Sequence, residues 1–234
     1  MADIRYRNEL KYLISDNEAQ IITHELEPLL KIDGNARDGK YVISSLYFDG
    51  IDDDDYYDVD AGIDEKRKFR IRIYDHSDSF IRLERKNKKN AMTAKASCKI
   101  DRKTAEKLMA GEYLRDIDKL DEVEKELSYL IMAKGYRPKI IVDYERIPFI
   151  YKFGNVRITL DMNICSSSDL NSFLDGFTYR RPILPIGKHL LEVKYDEYMP
   201  KHIYDCLNDL NLQQISFSKY YLCRQYNVKG GLFL

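Results

Sequence analysis

Four stretches of this chain alternate charged and apolar residues with a period of two. Lys68, Arg70 and Arg72 alternate with Phe69, Ile71 and Ile73, and Arg82, Glu84 and Lys86 with Ile81, Leu83 and Arg85. Arg157, Thr159 and Asp161 alternate with Val156, Ile158 and Leu160, and Glu192 and Lys194 with Leu191, Val193 and Tyr195. Residues two apart on a strand share a face. Each stretch therefore predicts a strand with one apolar face and one face set with cations and a few carboxylates. A single such strand is ordinary in a sheet with one wet side. Several in one domain suggest a curled sheet whose charged faces converge on a polar lumen. A lumen crowded with Lys and Arg repels itself unless anions, water and carboxylates balance it. Its natural guest is a polyanion.

The rest of the pattern predicts an α+β domain with a largely antiparallel sheet. Residues 4–14 read as a strand with Arg5, Arg7, Glu9 and Lys11 on one face. Ser15, followed by Glu18, opens a helix through a capping box. That helix runs to about residue 30, with Pro28 loosening its last turn. Residues 41–48 predict a strand, and the acidic 49–62 a short surface helix or turn. Strands over 66–74, 80–88 and 91–100 follow, joined by hairpin links at 75–79 and 87–90. Asp101 caps a short helix over 103–110, and a helix over 121–134 ends at Gly135. Residues 138–149 and 155–164 form a strand pair, 165–180 an irregular segment, 189–195 a strand, and 199–210 a helix with Pro200 at its start. No repeat or linker divides the chain, so 1–234 reads as a single domain.

Composition changes this picture in two ways. The 234 residues carry 38 Lys+Arg against 39 Asp+Glu, a net charge of −1, which argues against a nucleic-acid partner. The signs are segregated locally, with an acidic run at 52–55 and basic ones at 66–68 and 86–89. The four cysteines are scattered without metal spacing and suit reduced thiols in a cytoplasmic protein. The first fifteen residues lack a signal-peptide core, and no stretch reaches the ~20 apolar residues that span a bilayer. The expected location is the cytoplasm, with membrane association only through a partner protein. His24, His76, His189 and His202 show no zinc spacing, and the run at 52–55 lacks the spacing of a calcium loop.

In chain order the segments RNELKYLI, SSLYFD, KFRIRIY, IRLERKNKK, PKIIVDYERIPF, VRITLD, LLEVKYD and SFSKYYLCR carry a resemblance. Each is short, but the ordered set from Arg5 to Arg224 resembles the VTC domain, the polyphosphate polymerase module of the vacuolar transporter chaperone family. That family is related to the CYTH proteins among the triphosphate tunnel metalloenzymes. The resemblance implies an antiparallel β-barrel forming a tunnel, with helices packed outside, that binds triphosphate or polyphosphate. It implies phosphate contacts from Lys11, Arg70, Arg72, Lys86, Lys99, Arg146, Arg157 and Lys219, with the catalytic share falling to Arg70, Arg72, Lys86, Arg146 and Arg157. It makes Glu192 the ligand of a divalent metal, Mn²⁺ or Mg²⁺, with Glu9 and Glu84 as further carboxylates.

The chemistry is coherent. Arg forks grip phosphate oxygens at two points while Lys acts as a movable charge, and phosphoryl transfer needs positioning and charge more than a protein nucleophile. One departure stands out. Where CYTH relatives carry ExExK, this chain has Arg7-x-Glu9-x-Lys11, which favours the VTC-like branch over simple triphosphatase chemistry. The implied activity is transfer of the γ-phosphate of ATP to a polyphosphate chain. A triphosphatase and a binding-only regulatory module are the alternatives. Taken singly, these residues have plainer readings: surface ion pairs for Arg70 and Arg72, a cross-strand pair for Glu84 and Lys86, and Asp161 as the structural partner of Arg157.

Overall fold

Local signals set most element ends. In the computed structural model, which describes residues 7–89, 92–176 and 179–229, β1 (Asn8–Ser15) leads into α1 (Asp16–Leu26). A two-residue β2 (Lys31–Ile32) precedes β3 (Tyr41–Asp49) and α2 (Asp54–Asp60). A meander follows of β4 (Lys66–Tyr74), β5 (Ser77–Lys89) and β6 (Met92–Ile100), then α3 (Arg102–Met109) and α4 (Glu122–Lys134). The chain continues through β7 (Arg137–Tyr151), β8 (Val156–Ser167), a two-residue β9 (Arg181–Pro182), β10 (Lys188–Tyr195), α5 (Lys201–Asn208) and α6 (Lys219–Lys229). Arg5 and residue 91, the expected start of the third meander strand, lie outside the described residues.

Ser15 and Glu18 form the expected capping box on α1. The helix ends at Leu26, four residues early, because Pro28 has no N–H to extend the ladder. Asp121 and Glu124 cap α4 in the same way, and Gly135 closes it at φ 61°. The link between β4 and β5 is tighter than the expected 75–79. Asp75 and His76 both take positive φ, and Tyr74 pairs with Ser77. Two successive left-handed residues suit a two-residue hairpin, so β5 begins three positions early.

The main strands follow the order β1-β10-β8-β7-β3-β4-β5-β6, and the paired neighbours run antiparallel. The sheet curls until its two edges meet, but a single backbone bridge, Arg7 to Thr93, joins β1 to β6 among the described residues. The expected barrel is therefore not closed by a ladder. Side chains hold the seam instead: Glu9 on β1 accepts from Lys86 of β5 at 3.0 Å and from Thr93 of β6 at 3.3 Å.

Alternation then sorts the faces. On the convex side, Phe69, Ile71, Ile73, Ile81 and Leu83 pack beneath α3 and α4. Ile158, Leu160, Leu191 and Val193 pack with α1 and α5. The expectation that all helices lie outside is corrected by α6. Its Tyr220 and Cys223 join Tyr47, Ile140, Val142 and Tyr144 in one cluster. Ile140, Val142 and Tyr144 share a face with the cavity-lining Arg146. Its tyrosines and valine give α6 weak helical propensity, so the helix depends on this tertiary seat.

Candidate functional site

The concave faces of β1, β3, β4, β5, β6, β7, β8 and β10 surround a cavity of about 390 Å³. Fourteen lysines and arginines line it against two glutamates, Glu9 and Glu192, and carboxylates set behind the lining, Glu84, Asp161 and Asp33 among them, offset only part of the surplus. Lys11, Arg70, Arg72, Lys86, Arg146, Arg157, Glu192 and Lys219 all face it. Lys99 does not. It is exposed beyond Arg82, its cross-strand partner, with Nζ 5.6 Å from the Phe80 ring centre. Its strand neighbour Lys95, which the sequence reading passed over, lines the cavity instead.

Three carboxylate nodes organise the cations. Glu84, buried on β5, accepts from Arg70 Nε at 2.8 Å and Nη2 at 2.7 Å, holds Arg72 at 3.6 Å, and accepts from Lys95. Burial pushes its carboxyl up, but Arg72, Arg70 and Lys95 outweigh burial and hold it well below the usual range. Arg70 also donates to the Tyr47 hydroxyl at 2.6 Å, and Arg72 to Ser45 at 3.2 Å. Glu84 thus pairs with the arginines of the neighbouring strand and with Lys95, not with Lys86.

The second node joins Asp161 and Glu192. Asp161 takes both Nε and Nη2 of the Arg146 guanidinium, at 2.6 and 2.7 Å, while Lys219 sits 2.6 Å from its Oδ2. Asp161 is therefore the partner of Arg146 and Lys219; Arg157 instead donates to Asp33 at 2.8 Å and to the Tyr41 hydroxyl at 2.9 Å. Glu192 accepts from Lys219 on Oε1 and from Lys194 on Oε2, each at 2.7 Å. Burial raises Glu192, yet Lys194, Lys219, Lys11 and Arg146 together hold it well below its ordinary value. For Lys219, burial is outweighed by Asp161 and Glu192, which hold its ammonium above the usual range.

Glu9 is the third node, with Lys11 at 2.9 Å and Lys86 at 3.0 Å. Burial pushes Glu9 up, but Lys194 and Lys86 overcome it and keep it ionised far below its usual range. Lys11 also donates to the Phe217 carbonyl at 2.8 Å. Among the described residues, Lys66, Lys68, Arg82 and Lys88 line the cavity without an ion-pair partner. Lys68 lies 3.1 Å from the Ser218 hydroxyl and 4.7 Å from the Tyr220 ring centre. Burial, then the nearby Lys86 charge, pushes the Lys68 ammonium down to about 7. The basic run at 66–68 was legible in the sequence, but Lys68 and Lys194 were not singled out for phosphate.

Among the described residues no group of three or more His, Cys, Asp or Glu is placed to hold a metal unaided. Both oxygens of Glu192 already accept from lysines, and Glu9 lies close enough to raise its charge cost. Mg²⁺-like ions commonly take one or two carboxylates and complete their shell with water and substrate phosphates. The donor set fits a divalent ion that arrives with phosphate and leans on Glu192 and Glu9. It does not fit a cage built from protein ligands.

Several known proteins share this architecture. The Hippeastrum protein HpAC1, an adenylyl cyclase candidate with a dominant triphosphatase activity, superposes with a TM-score of 0.58 at 14% identity, over 94% of this chain and 95% of its own. An adenylate cyclase candidate of Bacillus halodurans gives 0.51 at 13% identity, over 92% and 94%. At such identities the likeness concerns the fold alone. In sequence, subunit 4 of the vacuolar transporter chaperone complex of Schizosaccharomyces pombe is 29% identical over 207 residues, covering 75% of this chain but only 28% of that protein. The profile of the VTC domain matches residues 6–227, and the chain belongs to the VTC domain family.

Proposed function

We propose that this domain is a metal-dependent polyphosphate polymerase, which moves the γ-phosphate of ATP onto a polyphosphate chain held in the cationic cavity. The observation that carries the reading is the surplus of inward basic groups: among the described residues, Lys66, Lys68, Arg82 and Lys88 line the cavity without an ion-pair partner. Such charges await an anion of several negative charges spread along a line. The Schizosaccharomyces pombe relative is a subunit of a vacuolar transporter chaperone complex. By that likeness the proposal includes a membrane-associated partner for a domain on the cytoplasmic side. No helix among the described residues is long and apolar enough to cross a membrane.

Arg70, Arg72, Arg146 and Arg157, held in place by their carboxylate and hydroxyl partners, present charge to the triphosphate, and Lys11, Lys86 and Lys219 adjust to its oxygens. The terminal oxygen of the acceptor chain forms the new P–O bond as the bond to the β-phosphate oxygen breaks and the nucleoside diphosphate leaves. The fixed guanidinium groups stabilise the charge that spreads over the transferred group. Glu192, with Glu9 beside it, would hold Mn²⁺ or Mg²⁺, which when bound neutralises phosphate charge. The transfer needs no protein nucleophile.

Incubation with ATP and Mn²⁺, followed by gel separation, tests the proposal. Long-chain polyphosphate is the expected product. Free phosphate alone would convert the reading to a triphosphatase. Triphosphate binding without turnover would make this a binding module.

A further inference from the structure

The β4–β5 wall of the cavity is chemically polarised along its length. At one end, cross-strand partners are lysines, Lys66 with Lys88 and Lys68 with Lys86. Towards the hairpin they become Arg70 with Glu84 and Arg72 with Arg82. Beyond the arginines the same face turns aromatic. Tyr74 lines the cavity, its ring 5.8 Å from Tyr41 and 6.2 Å from Phe80. Phe80, two residues from Arg82 on β5 and next to the cavity-lining Tyr74, is 41% exposed. Arg82 and Lys99 stand beside its ring, at 5.9 and 5.6 Å from the centre.

Phe80 thus offers a partly exposed phenyl ring, packed on one side by Tyr74, beside two cations at the edge of the cavity. The neighbouring cations fit a ligand that carries a flat apolar end and a phosphate tail. We infer that Phe80, backed by Tyr74, is the stacking platform for the base of the nucleoside triphosphate, with its phosphates pointing inward to Arg82, Arg72 and Arg70. The inference rests on the reading that the cavity takes a triphosphate, and it adds an orientation. Nucleotide enters at the hairpin mouth, and product extends towards Lys66 and Lys88. Ring stacking tolerates any base, so the site discriminates weakly among ATP, GTP, CTP and UTP. Lys99 acts at this mouth, over the Phe80 ring.

Calorimetry on the intact chain, without divalent metal, compares ATP with inorganic tripolyphosphate, which lacks a base. Base stacking on an aromatic ring strengthens binding whatever the base, so Phe80→Ala should weaken ATP binding at least roughly tenfold, about 1.4 kcal/mol. It should leave tripolyphosphate within about twofold. Phe80→Tyr should restore ATP affinity, and the fluorescence of etheno-ATP, quenched on the unsubstituted protein, should be unquenched with Phe80→Ala. Equal weakening of both ligands would mean that Phe80 only supports Arg82 and Lys99, and would overturn the inference. So would unchanged ATP affinity. If the unsubstituted protein bound neither ligand, the underlying phosphate reading would fail and this one with it. Phe80 lies at the rim, and matching melting curves would confirm that the variants fold.

Discussion

Lys219 places its ammonium 2.7 Å from Glu192 Oε1 and 2.6 Å from Asp161 Oδ2. The first residue of α6 thereby ties the helix on the concave face to β8 and β10. Asp161 and Glu192 hold the Lys219 ammonium above its usual range, and Lys194 and Lys219 outweigh burial to hold the Glu192 carboxyl well below its own.

Glu192→Gln should therefore separate binding from chemistry. Gln keeps the size and an acceptor, but the charge that would hold a divalent ion is gone. Triphosphate affinity without metal should hold or rise, since one negative charge has left the cavity. Metal-dependent turnover should fall at least about a hundredfold, because metal charge stabilisation is worth several kcal/mol. Calorimetry with and without Mn²⁺, paired with an ATP turnover assay, reads both. Full turnover would hand the metal role to Glu9 or Glu84.

Arg72 and Glu84 make a second, opposite test. Arg72→Ala removes a phosphate contact, and triphosphate binding should weaken with or without metal by about 1.5–3 kcal/mol. Glu84→Gln leaves Arg70, Arg72 and Lys95 facing one another in a buried site. Removing one partner of a buried pair costs ~3–5 kcal/mol, so the apoprotein should melt lower. Tripolyphosphate should restore much of the loss by standing in for the carboxylate. Melting curves with and without the anion decide it; no rescue would mean that these cations are not open to the ligand.

Much of the sheet was legible because period-two alternation acts locally. Phe69 and Ile71 had to go one way and Arg70 and Arg72 the other. The capping boxes at Ser15 and Asp121 are local too, and both appear. What the sequence concealed depends on distant partners. Asp161 lies four residues from Arg157 on one strand face, yet Arg146 from the adjacent strand takes it in a two-point grip. Lys95 and Lys99 look alike in sequence; only the register of β5 with β6 puts Lys95 opposite Lys86 and Lys99 at the rim. Helix α6 is seated by Tyr220 against Tyr47 and Asp49, which its own residues do not announce. The barrel closure failed because charged side chains, rather than backbone, fill the seam between β1 and β6.

Three cavity lysines should make phosphate binding proton-linked. Burial is the main cause that pushes Lys68 and Lys95 down to about 7 and Lys86 to about 8; neighbouring cations add to it. Unfolded, these groups hold their protons up to the ordinary lysine value of 10.5, so the unfolded chain binds more protons between about pH 7 and 10. Apoprotein stability from these groups therefore rises with pH across that window. A bound polyanion favours the charged lysines and reverses the trend. Binding of tripolyphosphate should take up about two protons at pH 8 and almost none at pH 6. Calorimetry in two buffers of different ionisation enthalpy measures the uptake; none at pH 8 would rule out these lysines as the ligand's contacts.

A buried carboxylate behind the cavity should limit stability at neutral pH. Asp55 on α2 accepts from the Tyr136 hydroxyl at 3.1 Å through Oδ1, while its Oδ2 is buried with no hydrogen-bond partner. Burial, then the neighbouring Asp49, raises its carboxyl from 3.8 to about 7. With the folded value above the unfolded one, the cost of ionising Asp55 is full above about pH 7, shrinks as pH falls, and is gone below about pH 4. Asp55→Asn keeps the acceptor for Tyr136 and removes the charge, and the oxygen it replaces gave up no bond. At pH 8 the variant should be more stable by on the order of 2–4 kcal/mol, visible as a rise of several degrees in melting temperature. The advantage should fade steadily as the melts are repeated down to pH 4. A variant less stable at pH 8 would show that the charge of Asp55 is needed where it sits, against Lys68 and Arg67, and that its pairing outweighs its burial.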